Sequence, residues 1–156
     1  MLQSLLNLVA DGLPDARVVA VDAHDGTVLV GTAEGLAVLD AGRVTEVVDA
    51  TLPDAWVQAV HVGPDGALWA GTFRGLAVRG PQDSTFRTVL DPWSVFSLSA
   101  ARNGGVWAGY EGLQHVSLEG VVTPWLDGVH VYDSVDTPEG PVVATTESGV
   151  LTVAEP

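Results

Sequence analysis

At 156 residues the chain suits one domain with a sizeable core. Apolar residues make up 47% of it and charged residues 17%, which excludes intrinsic disorder. All six cations are arginines, set against 20 carboxylates for a formal charge of -14, so nucleic acid and anionic membrane are poor partners. With no cysteine, a disulfide scaffold, a thiolate metal site and a Cys nucleophile are excluded.

The first ten residues are mildly apolar, but Gln3, Ser4 and Asn7 interrupt them and no cation precedes Arg17. That is not the pattern of a signal peptide, and it leans toward a cytoplasmic location. No stretch approaches the roughly 20 apolar residues of a membrane helix. Residues 5–16 resemble 44–55, so a short strand is expected at 2–10, equivalent to the last strand of a repeat that follows.

Four copies of one unit come next, at 17–49, 56–90, 94–126 and 130–154. Gly66-x-Leu68-Trp69-x-Gly71-Thr72-x-x-Gly75-Leu76 is echoed by Gly26-x-Val28-Leu29-x-Gly31-Thr32-x-x-Gly35-Leu36 before it. Gly104-x-Val106-Trp107-x-Gly109-Tyr110-x-Gly112-Leu113 follows, and a degenerate copy begins at Gly140. A period of roughly 36–40 residues means a solenoid or a propeller. Each unit predicts four short strands. The first alternates, as in Val57-Gln58-Ala59-Val60-His61. A turn such as Asp25-Gly26, Asp65-Gly66, Asn103-Gly104 or Glu139-Gly140 follows. The second strand is continuously apolar, as expected of sheets covered on both faces, and this accounts for a mean hydropathy of +0.30. The third begins after a glycine turn. The fourth is Val44–Val48, Phe86–Leu90 or Val121–Trp125, where Pro124 fits an outer edge.

The Gly-x-Leu-Trp-x-Gly-Thr-x-x-Gly-Leu pattern behind an alternating strand resembles the repeat of two-component regulator propellers, over nearly the whole chain. The resemblance implies an all-β propeller of four-stranded antiparallel blades, the first strand of each innermost. It also implies the sensory part of a histidine kinase, often linked to polysaccharide sensing. The strand count is one, three times four, and three. The strand at 2–10 is thus expected to complete the last blade. Either one chain closes a four-bladed ring or two chains close an eight-bladed one. Four blades splay by about 90°, eight by about 45°, and sheets pack roughly 10 Å apart. The thin Ala-, Gly-, Thr- and Val-rich blades favour the eight-bladed homodimer.

Trp69 and Trp107 read as core, matched by Leu29 and Val143 in the other copies. The repeated glycines are turn and packing residues, since a phosphate loop needs a lysine. His24, His61, His115 and His130 fall at unrelated positions without metal-ligand spacing. Asp22 and Asp25 invite a calcium reading, but turn chemistry explains the Asp-Gly pairs and no metal or cofactor is expected. Asp22, His61, Ser99 and Asp136 are read as equivalent, forming a ring at one end of a channel. The loops entering the inner strands and those joining second to third strands carry Arg17, Trp56, Phe73, Arg74, Trp93, Tyr110 and His130, with Phe96 just inside. Aromatic side chains in loops without a packing duty point to a binding face. The favoured function is a noncatalytic module for a glycan, peptide or small molecule. The alternatives are a lyase or hydrolase at the channel mouth and a sensor-type fragment of a signalling protein.

Overall fold

A computed structural model describes residues 11–156, and the strand expected at 2–10 lies outside them. Fifteen strands and no helix are found among the described residues. The first blade is β1 (Val18–His24), β2 (Thr27–Thr32), β3 (Gly35–Asp40) and β4 (Arg43–Val48). The second is β5 (Val57–Val62), β6 (Leu68–Thr72), β7 (Gly75–Arg79) and β8 (Arg87–Leu90). The third is β9 (Ser97–Ala100), β10 (Val106–Gly109), β11 (Gly112–Val116) and β12 (Val122–Asp127). The last has three described strands, β13 (Val131–Thr137), β14 (Gly140–Thr145) and β15 (Val150–Thr152). Every blade is an antiparallel meander in chain order, the all-β propeller architecture.

Local chemistry shapes each blade. Asp25 and Gly26 both take positive φ, the turn that joins β1 to β2. Thr32 donates its hydroxyl to the Gly35 carbonyl at 2.9 Å and accepts the Glu34 N–H at 3.2 Å. Thr72 does the same with Gly75 and Arg74, and Thr145 with Gly149 and Ser148. A threonine thereby closes the joining turn of three blades, buried in the first two and half-buried in the last; in the third, Tyr110 takes its place.

The core is a series of interblade layers. Leu29, Leu36 and Val38 meet Val57, Val60 and Leu68. Trp69, Leu76 and Val78 meet Val95, Val106 and Val116. Trp107 and Leu113 meet Val131 and Val143. The approach is close because Gly31, Gly71 and Gly109 have no side chain. A Cβ there would lie 2.8, 2.6 and 2.8 Å from a methyl of Val57, Val95 and Val131, each in the following blade. Polar stitches cross the same boundaries: Arg79 Nη1 to both Glu46 oxygens at 2.7 Å, and Ser99 Oγ to Ser134 Oγ at 2.7 Å.

Inner strand β1 lies beside β5, β5 beside β9, and β9 beside β13, with no comparable packing of β13 on β1 among the described residues. The described blades therefore form an arc. Its concave side is an open hollow of about 330 Å3, lined by all four inner strands, including Val19, Gln58, Phe96 and Tyr132.

The last blade differs from the expected register. Val135 pairs with Val142, whereas Asp22, His61 and Ser99 pair with Leu29, Trp69 and Trp107. Val142, not Val143, is thus the counterpart of the tryptophans, and Val135, not Asp136, is the fourth member of the inner set. The cause is local. The turn after β13 is made by Pro138 and Glu139, and Gly140 is already paired with Thr137 inside the strand. A one-residue slip moves each side chain to the other face of the sheet.

These layers predict graded losses. Gly71→Ala forces a Cβ against Val95 and is expected to cost about 1–3 kcal/mol, while Trp69→Ala is expected to cost about 3–5 kcal/mol. Urea denaturation measures both, and a neutral Gly71→Ala contradicts the close approach.

Candidate functional site

The loops entering the inner strands and the turns joining second to third strands sit at one end of the arc. Asp15 Oδ1 accepts the Arg17 N–H at 2.6 Å, and Asp54 Oδ1 accepts the Trp56 N–H at 2.8 Å. The same local turn thus presents Arg17 on the first blade and Trp56 on the second. Arg17 Nε also donates to Asp15 at 3.0 Å, and this hydrogen bond holds the Asp15 carboxyl below its ordinary range.

From Arg17 a continuous row of rings crosses the blades. The Arg17 guanidinium lies 5.6 Å from the Trp56 ring centre. Trp56 meets Phe73 edge-on at 5.4 Å, and Phe73 meets Phe96 edge-on at 5.4 Å. Phe96 lies 4.1 Å from Tyr110, and Tyr110 lies 5.4 Å from His130. Trp56 and Phe73 keep 38% and 39% of their surface exposed, Tyr110 is half-buried and His130 is exposed. Arg74 stands exposed beside Phe73, with no carboxylate within salt-bridge distance among the described residues. Arg17, by contrast, is shared between Asp15 and, at 3.8 Å, Glu34.

Six of the seven expected face residues stand in this row or beside it. Trp93 does not join the row. It is half-buried and packs with Val95 and Leu98 in the layer between the second and third blades. The linker explains this: Ser94, not Trp93, immediately precedes Val95, the counterpart of Val57, and so occupies the Trp56 position. Ser94 donates its hydroxyl to the Phe73 carbonyl at 2.6 Å. Phe96 is the hub of the row, touching both Phe73 and Tyr110. Its signal in the sequence is an aromatic where the first two inner strands carry Val19 and Gln58, although the last also carries an aromatic, Tyr132.

The inner set at the other end behaves differently. Asp22 Oδ2 accepts the Val62 N–H at 2.9 Å and lies 3.0 Å from His61 Nδ1. His61 Nε2 is buried without a hydrogen-bond partner. Ser99 is engaged with Ser134, and Asp136 Oδ2 accepts the Arg102 N–H at 2.6 Å. The four therefore take part in three separate links at two blade boundaries rather than a ring. His115 Nε2 lies 3.0 Å from the Gly104 carbonyl and its ring packs edge-on against Trp107. A cleft of about 300 Å3 at this end, between the third and fourth blades, is lined by Trp107, Trp125, Arg102 and Glu139, far from the aromatic row. Among the described residues no group of three acidic, histidine or cysteine side chains is placed to hold a metal, and no helix is long and apolar enough to cross a membrane.

The chain matches no protein-family model and no curated protein sequence. Solved structures share its fold. The extracellular domain of the putative one-component system BT4673 from B. thetaiotaomicron is 18% identical with a TM-score of 0.72, over 89% of this chain and 21% of that one. An inactive His-to-Ala form of virginiamycin B lyase from Staphylococcus aureus, solved with quinupristin, is 14% identical with a TM-score of 0.71, over 92% of this chain and 55% of that one. The computationally designed Ika4 protein is 16% identical with a TM-score of 0.70, over 90% of this chain and 92% of that one. The chain thus spans about a fifth of the BT4673 extracellular domain and about half of the lyase.

The two environments predict different responses to truncation. Trp56→Ala removes a partly exposed ring with one edge contact and is expected to cost about 1 kcal/mol. Trp93→Ala opens an interblade layer and should approach the roughly 3–5 kcal/mol of a core tryptophan. Equal losses in chemical denaturation would make the row a packing feature.

Proposed function

We propose that the chain is a noncatalytic binding module of the sensor type, using the aromatic row as its ligand face. The observation that carries this reading is the unbroken sequence of rings from Trp56 to His130, with Trp56 and Phe73 exposed and Arg74 beside them. The exposed rings of Trp56 and Phe73 offer apolar surface to a flat partner, such as a sugar ring or a peptide side chain. Arg74 supplies a cation on an otherwise acidic chain, which favours a ligand carrying a carboxylate or similar anionic group. Support also comes from the BT4673 domain, which is the extracellular part of a putative one-component system. That likeness favours an extracellular over a cytoplasmic setting for this module.

A second reading, a lyase or hydrolase, draws on the Asp22–His61 pair and on the lyase neighbour. It requires His61 Nε2 to become accessible, and it uses the end of the arc opposite the aromatic row.

Thermal shift against panels of acidic glycans, peptides and metabolites separates the two, because a ligand held only by the folded form raises Tm. For the binding reading, Trp56→Ala and Arg74→Ala are each expected to weaken a hit about tenfold or more while His61→Ala leaves it unchanged. Chemical turnover of a hit, lost in His61→Ala, would replace the binding reading with the catalytic one.

A further inference from the structure

We infer that the exposed face of the last blade is the docking site for a second copy of this chain, whose β1 seats on it to give a closed ring of two arcs. The inference goes beyond ligand binding and rests on the interblade junction, which occurs three times inside the chain.

In each internal junction the valine that opens an inner strand enters the notch of the preceding blade. Val57 lies on Gly31, Val95 on Gly71 and Val131 on Gly109. The backbone joins in: the Val95 N–H donates to the Thr72 carbonyl at 3.0 Å, and the Val131 N–H to the Tyr110 carbonyl at 2.7 Å. One more junction of this kind has both halves present and, among the described residues, both unfilled. On the last blade the corresponding face is Val135, Val142, Ala144 and Val150, with Asp133 paired beside Ala144, lining a shallow hollow of about 140 Å3. Val150 is 72% exposed although its counterparts Leu36, Leu76 and Leu113 are buried, and Val135 is 58% exposed where Asp22, His61 and Ser99 are half-buried. On the first blade, Val18 pairs with Thr32 as Val57 pairs with Thr72, and is therefore the valine of the missing junction. It is 49% exposed, and Val21 on the same strand is 66% exposed. A lone copy leaves the exposed valines of both halves in water.

A second copy satisfies both at once. Val18 of the partner subunit meets Ala144, while this chain's Val18 meets the same face on the partner, and the two junctions are related by a two-fold axis. Ala144 stands where the internal junctions have glycine. Its methyl holds the incoming strand off, so this junction is looser than those inside the chain and the assembly dissociates on dilution.

Light scattering at physiological salt, which screens the charge of each copy, tests the proposal. The expected species has twice the chain mass of 16.2 kDa. Val135→Asp combined with Val150→Asp alters only exposed positions and is expected to give a folded monomer, as is Val21→Asp. Mixing those two monomeric variants is the decisive arm. One junction of the mixed pair then carries both defects and the other carries none. A heterodimer is expected, weaker than the original. Ala144→Gly is expected to lower the dissociation constant several-fold. The proposal is overturned by a wild-type chain that stays at 16.2 kDa up to its solubility limit, by a dimer that survives Val135→Asp with Val150→Asp, by mixed variants that stay monomeric, or by open-ended filaments.

Discussion

In β2, β6 and β10 the position that faces the next blade carries only hydrogen, and the opening valine of the following inner strand fills that volume. The rest of the arc depends on this contact. It brings consecutive sheets close enough for Leu29, Trp69 and Trp107 to be covered from the far side. It aligns the inner strands so that backbone N–H groups of one blade reach carbonyls of the one before. It also sets the spacing across which Arg79 reaches Glu46 and Ser99 reaches Ser134. A larger residue at any of these glycines acts on two blades at once.

The aromatic row is a by-product of the same geometry at one end of the arc. Once the blades are fixed, the turns joining second to third strands stand side by side, and what they carry is free to vary. Three of them spend a threonine hydroxyl on closing the turn. The third blade gives up that hydroxyl and places Tyr110 there, against Phe96. The shorter Tyr110-Glu111 turn needs less bracing, and the exchange turns a structural position into part of a surface.

The repeat, the strand order and the blade boundaries were legible because they rest on glycine turns and on apolar runs of fixed period. Most of the ring row was legible too, since loop aromatics such as Phe73 and Tyr110 break an otherwise regular pattern. Two features were not. Trp93 looks like Trp56 in composition, but the intervening linker is shorter, and Ser94 takes the exposed position. Gly140 looks like the turn glycine Gly26, but Pro138 and Glu139 form the turn and Gly140 belongs to the strand. Asp136 consequently pairs across the blade boundary with Arg102 instead of joining Asp22, His61 and Ser99. In both cases the residue type was read correctly and the count along the chain was not, and in a structure of period two the count decides the face.

Contacts in the arc run between successive blades, so cohesion is shared pairwise along a line. The second and third blades are clamped from both sides. Within one copy, and among the described residues, the first and fourth are each held from one side, the fourth by Trp107, Trp125 and Ser99 of the third. In such an array the cheapest local opening begins at the end with fewest neighbours, and amide protons of β13 to β15 exchange with solvent before those of β5 to β11. His130, the terminal ring of the aromatic row, immediately precedes β13. Whatever stacks against that end of the row therefore also steadies an end blade of the undocked chain, and occupancy of the face is converted into rigidity of that edge.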